Sequence, residues 1–166
     1  MRYVVDTNVA IIANGRSDTA EGGKVPSIDC RLATLNFLEK LRNNGRIVLD
    51  LDGAIQAEYH RHLNPRGQPG VGDRFYQEVL NSAPERIERV ELPRNADGEY
   101  KHFPSHVDLQ NFDKGDRKFA ALSCKEGIPV ANATDSDWLN FRDILAQHHI
   151  SIEFVCGCDQ MKWFSK

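Results

Sequence analysis

Short aliphatic and β-branched runs alternate along the chain with stretches whose apolar positions recur every three or four residues. That is the pattern of strands joined by crossover helices. Residues 2–5, Arg-Tyr-Val-Val, read as a first strand, and residues 9–14 offer one or two helical turns after it. Residues 15–27, rich in Gly, Ser, Thr and Asp, read as a loop. Leu32, Leu35, Leu38 and Leu41 then repeat at helical intervals, which predicts a long helix from near Ser27 to the stop at Asn43-Asn44-Gly45. A second strand is expected over 46–51 and a helix over 53–63, ended by Asn64-Pro65. The segment 66–73 carries three glycines and a proline and reads as a flexible excursion. A helix over 73–82, a short peripheral strand over 87–92 and a second long loop over 95–106 follow. The last part predicts a helix over 113–126 closed by Gly127, a strand over 128–131, a helix over 136–149 and a strand over 152–155. The aromatic end, Met161 to Phe164, suits docking on the body or on a partner.

This order of elements predicts an α/β domain with helices on the faces of its sheet, and 166 residues suit a single domain spanning 1–166. At 40% hydrophobic and 27% charged, with its longest apolar stretch only the five residues 9–13, the chain is not expected to enter a membrane. Asp6 interrupts the run a signal peptide would need, so secretion is not expected either. The net charge of −3 supplies no global field for nucleic acid, and any such contact must use a local basic patch. Cys30, Cys124, Cys156 and Cys158 read as reduced thiols, which points to the cytoplasm.

The acids change the picture more than the composition does. Parallel α/β sheets place their functional crevice beyond the carboxyl ends of the strands. Asp6 directly follows the first strand, and Asp135 and Asp137 follow the strand 128–131, so both groups reach one edge. Glu58 lies in the helix after the second strand. Asp116, in the first turn of its helix, shares a face with Phe119, Ala120 and Ser123, a stripe that should turn toward the sheet. A carboxylate there needs a basic partner, a cation or a wet rim. Several acids at one edge repel one another, and a hard divalent cation, Mg2+ or Mn2+, is the natural compensation. The chemistry implied is phosphodiester or phosphomonoester cleavage.

Four stretches carry a resemblance: residues 3–9 (Tyr-Val-Val-Asp-Thr-Asn-Val), Ala57-Glu58-Tyr59, residues 112–121 around Gly115-Asp116-Arg117, and Thr134-Asp135-Ser136-Asp137-Trp138. In order and spacing, over nearly the whole chain, they resemble the PIN domain. The resemblance implies a Rossmann-like three-layer fold around a mostly parallel sheet. It also implies a metal-dependent endoribonuclease acting on single-stranded or structured RNA. Its acidic set would be Asp6, Glu58, Asp116 and Asp135, with Asp137 as an accessory ligand and the choice of main ligand between Asp135 and Asp137 open. Asn8 and Thr134 would be polar supports that hold an acid or a water. Water activated by the ion would attack phosphorus in line, without a covalent intermediate. Toxin-type relatives bring an antitoxin-like inhibitor protein and a homodimer as expected partners, whereas the loops at 66–73 and 95–106 make this chain larger than a minimal toxin and admit an RNA-processing role. Arg61 and Arg66 near Glu58, and Lys114, Arg117 and Lys118 near Asp116, are the bases that could contact RNA.

Plainer readings stand beside these. Asp6 could cap a helix, Asp135 and Asp137 could be turn and cap residues, and Asp116 could pair with surface bases. The run Val48-Leu49-Asp50-Leu51-Asp52-Gly53 resembles the nucleophile motif of haloacid-dehalogenase-like phosphohydrolases, with Asp50 as nucleophile, although Ala54 stands where that motif has Thr or Val. A non-catalytic scaffold of PIN fold that binds RNA or protein is the third alternative.

Overall fold

A computed structural model of the chain describes residues 1–16, 23–66 and 69–166. Five strands, β1 (Arg2–Val5), β2 (Arg46–Asp50), β3 (Ile87–Val90), β4 (Val130–Asn132) and β5 (Ile152–Phe154), form one parallel sheet of order β3-β2-β1-β4-β5. The helices are α1 (Thr7–Ala13), α2 (Ile28–Asn44), α3 (Ala54–His62), α4 (Val71–Asn81), α5 (Arg117–Glu126), α6 (Ser136–Asn140) and α7 (Arg142–Gln147). Together they make the three-layer α/β architecture that the alternating pattern predicts. Strands covered on both faces should be apolar throughout, and Val4, Val5, Val130 and Ala131 are accordingly fully buried. β3 is an edge strand, as its short alternating run suggests.

The order of strands decides where the site lies. From β1 the chain builds outward through β2 to β3, then returns to place β4 on the other side of β1, with Val4 opposite Val130 and Val5 opposite Ala131. The gap beyond the carboxyl ends of β1 and β4 is therefore the switch point of the sheet, where such folds hold ligands.

Local chemistry explains the boundaries. Ser27 caps α2, its Oγ accepting from the Cys30 N–H at 3.2 Å. Gly127 ends α5 in the left-handed region at φ 63°. α5 starts at Arg117, four residues later than the expected 113, because Asp113 turns the chain first. The Asp113 carboxylate accepts from the Gly115 N–H at 2.5 Å, and its carbonyl accepts from the Asp116 N–H at 3.2 Å. The single helix expected over 136–149 is two, broken at Phe141, whose ring packs edge-on against Phe112 at 5.5 Å.

Part of the excursion at 66–73 is firmly packed. α4 begins at Val71, and Asp73 is 3% exposed, accepting from Asn14 Nδ2 at 2.9 Å and from the Asn64 N–H at 2.9 Å. Gly72 lets this helix touch α1, since a Cβ there would stand 1.9 Å from the Ala10 carbonyl oxygen. Residues 67–68 of that segment, and 17–22 of the expected loop at 15–27, lie outside the described residues. The second expected loop, 95–106, holds no helix or strand; an isolated bridge joins Arg94 and Tyr100.

The chain's end docks on its own body. Trp163 is 1% exposed, its indole N–H donates to the Gly157 carbonyl at 2.9 Å, and its carbonyl accepts from the Ser27 N–H at 2.9 Å. Cys30 and Cys156 form a disulfide there, which corrects the expectation of four reduced thiols; Cys124 and Cys158 are free. The pair is 126 residues apart in sequence, and docking of the tail on the first turn of α2 brings the two together. Opening this bridge, by reductant or by Cys30→Ser, is expected to cost about 2–4 kcal/mol, roughly 4–16 °C in thermal melts. No helix among the described residues is long and apolar enough to cross a membrane.

Candidate metal centre

Carboxylate oxygens of Asp6, Asp116 and Asp135 lie within 4.8 Å of one another beyond the ends of β1 and β4. Asp6 is the residue after β1 and caps α1, its Oδ1 accepting from the Asn8 N–H at 3.2 Å. Its other oxygen accepts from the Trp138 indole N–H at 2.6 Å, so the side chain is held at both ends. Asp135 caps α6, accepting from the Asp137 N–H at 2.9 Å. Capping and clustering thus coexist at both positions. Asp116 stands just before α5 and makes no side-chain hydrogen bond to that helix.

Asn8 bridges two elements beside the cluster. Its Nδ2 donates to Asn132 Oδ1 at 2.8 Å and its Oδ1 accepts from the Ala133 N–H at 2.7 Å, tying α1 to the exit of β4. Asn132 in turn accepts from the Asp135 N–H at 3.2 Å and donates to the Asp135 carbonyl at 3.1 Å. One chain of bonds therefore sets Asp135 relative to Asp6. The Thr134 hydroxyl, next to Asp135, is fully buried and has no hydrogen-bond partner among the described residues.

Electrostatics mark the cluster as unfinished. Burial pushes the Asp6 carboxyl well above the usual carboxylate range, with the charges of Asp135 and Glu58 adding to the effect. Burial likewise raises Asp116, helped by Asp6, Asp135, Asp113 and Glu58, to about 10. Three acids crowded together, Asp6 buried and Asp135 half-buried, with Asp116 making no side-chain hydrogen bond to its helix, fit a cation held by oxygen alone. Among the described residues no histidine or cysteine joins this group, and an all-carboxylate donor set suits Mg2+ or Mn2+ better than Zn2+.

Other expected site residues fall elsewhere. Glu58 comes near the trio but outside it: one oxygen accepts from the Thr7 hydroxyl at 2.8 Å and the other pairs with the Lys118 ammonium. Asp137 contributes its backbone N–H, while its carboxylate is not one of the clustered three. Lys118 is 6% exposed, so it is not a surface contact for RNA. Arg117 is also engaged internally, donating to the Gln110 carbonyl at 3.0 Å with its guanidinium over the Phe103 ring. Arg61, Arg66 and Lys114 are exposed.

Sequence reasoning missed Trp138 and Asn132. Trp138 lies three positions after Asp135, a helical spacing that put an indole donor beside the acids, and that spacing was the available signal.

Asp50 has a structural job. Its two oxygens accept from the Ala54 N–H at 2.7 Å and the Ile55 N–H at 2.9 Å, capping the first turn of α3. Asp50→Ala is expected to destabilise the fold by about 1–2 kcal/mol in urea melts and to leave cation binding by the acidic trio unchanged. No protein-family model, no curated protein and no solved structure matches this chain.

Proposed function

We propose that the protein is a divalent-metal-dependent endoribonuclease of PIN type, hydrolysing RNA phosphodiester bonds with water as nucleophile. The observation that carries this reading is the meeting of Asp6, Asp116 and Asp135, from three distant stretches, at the switch point between β1 and β4. These are three of the four stretches on which the resemblance rests, and the fourth supplies Glu58 beside them. A Mg2+ or Mn2+ ion bound there would lower the pKa of a coordinated water and offset charge on the phosphoryl oxygens.

The chain's own contribution is preorganisation. Trp138 and the Asn8 N–H fix the two oxygens of Asp6, and Asn132 fixes the backbone of Asp135. Asp116, without a hydrogen bond to its helix, is the member most available to a cation. Arg61, Arg66 and Lys114 remain exposed for phosphate contacts, which weaken with salt. The rival phosphohydrolase would need Asp50 as nucleophile, and both Asp50 oxygens are occupied in capping α3.

The test is cleavage of an end-labelled single-stranded RNA with Mg2+, with Mn2+ and with EDTA, using Asp6→Asn as control. Cutting is expected with either metal, none with EDTA and none with the variant. RNA binding without turnover under every metal would assign the scaffold reading instead, and an Asp6→Asn protein that still cuts would place the chemistry elsewhere.

A further inference from the structure

Lys118 is an unusual neighbour for a cation site. Its side chain is 8% exposed and that of Glu58 is 14% exposed, and the two form an ion pair. The same ammonium donates to the Gly115 carbonyl, one residue before Asp116, and Glu58 is held from its other side by the Thr7 hydroxyl at 2.8 Å. A buried ammonium persists only where its charge is matched, and Glu58 matches it. The acids at this edge are therefore divided: three carboxylates lie within 4.8 Å of one another, and the fourth is already neutralised.

Nucleases that use a pair of ions place them about 3.5–4 Å apart, bridged and flanked by carboxylates. Here Glu58, the acid of the implied set that lies outside the trio, is engaged with a fixed positive charge, which also repels an approaching dication. We propose that Lys118 takes the place of a second metal, so that the centre binds one divalent cation. The inference rests on the metal-dependent reading above and gives it a stoichiometry. Lys118 is a positioning residue: it acts through Glu58, which it withholds from the ion.

The experiment is calorimetric titration of the metal-free protein with MnCl2, with electron paramagnetic resonance to detect coupled Mn2+ pairs. Wild type and Lys118→Arg are expected to bind one ion and give an uncoupled spectrum. Lys118→Met frees Glu58 and is expected to bind two with a coupled signal. The double variant Lys118→Met/Glu58→Gln returns to one. Circular dichroism establishes folding of each variant, and Lys118→Gln replaces Lys118→Met if the latter does not fold. Two ions in the wild type overturn the inference and leave the nuclease reading intact, as does a single ion in both folded neutral variants. No ion in the wild type overturns that reading, and the inference with it.

Discussion

Asp116→Asn is expected to abolish cation binding and lower RNA cleavage by about a thousand-fold, on the order of 4 kcal/mol, while making the metal-free fold more stable. The two effects have one cause. Burial and the neighbouring acids raise this carboxyl to about 10 in the folded chain, against an ordinary value of 3.8. Between those pH values the unfolded chain has lost a proton that the folded chain keeps. Wild-type stability without metal therefore falls as pH rises through this window, and the asparagine variant escapes that fall. The margin of the asparagine variant over the wild type is expected to grow from pH 5 to pH 9, and each 1 kcal/mol of it corresponds to roughly 2–4 °C for a chain of this size. Melts at pH 5, 7 and 9 in EDTA measure it. Mn2+ should raise the melting temperature of the wild type and leave the variant unmoved, since only a bound ligand stabilises. A variant that still takes the ion, or one that loses stability at pH 8, would contradict the account.

Trp138→Ala should bring the largest loss of stability, about 3–5 kcal/mol by urea unfolding. The indole is fully buried, meets Phe112 edge-on at 5.1 Å and donates to Asp6 at 2.6 Å. Trp138→Phe separates the two roles. It keeps most of the bulk and removes the N–H, leaving one Asp6 oxygen without its donor. Mn2+ affinity is then expected to fall about 10–100-fold, the usual cost of losing a group that orients a ligand, with a much smaller loss of stability. Equal Mn2+ affinity in Trp138→Phe and wild type would show that the indole only packs.

The parts legible in the sequence were those fixed by neighbours along the chain. The leucine ladder and Ser27 define α2 to within a residue, and Asp116 stood out because a carboxylate on an apolar stripe needs compensation. The compensation itself was not legible. Whether Asp116 meets a base or other acids depends on β4 returning beside β1, and Glu58 meets Lys118 only because α3 and α5 come together in the fold. The disulfide escaped for a similar reason, since Cys30 and Cys156 are joined by the docking of a tail whose destination a local pattern does not specify. The break at Phe141 follows from a ring seated against Phe112, a contact the continuous helical periodicity of 136–149 conceals.

The placement of β4 against β1 also bears on synthesis. Domains form as units while the polypeptide emerges from its amino end. A nascent chain that has passed Asp116 and not yet reached Asp135 has made two of the three clustered acids, so the growing polypeptide lacks one wall of the acidic pocket. On the proposed nuclease reading, the growing chain is not expected to cut RNA before Asp135 has emerged and β4 has paired with β1.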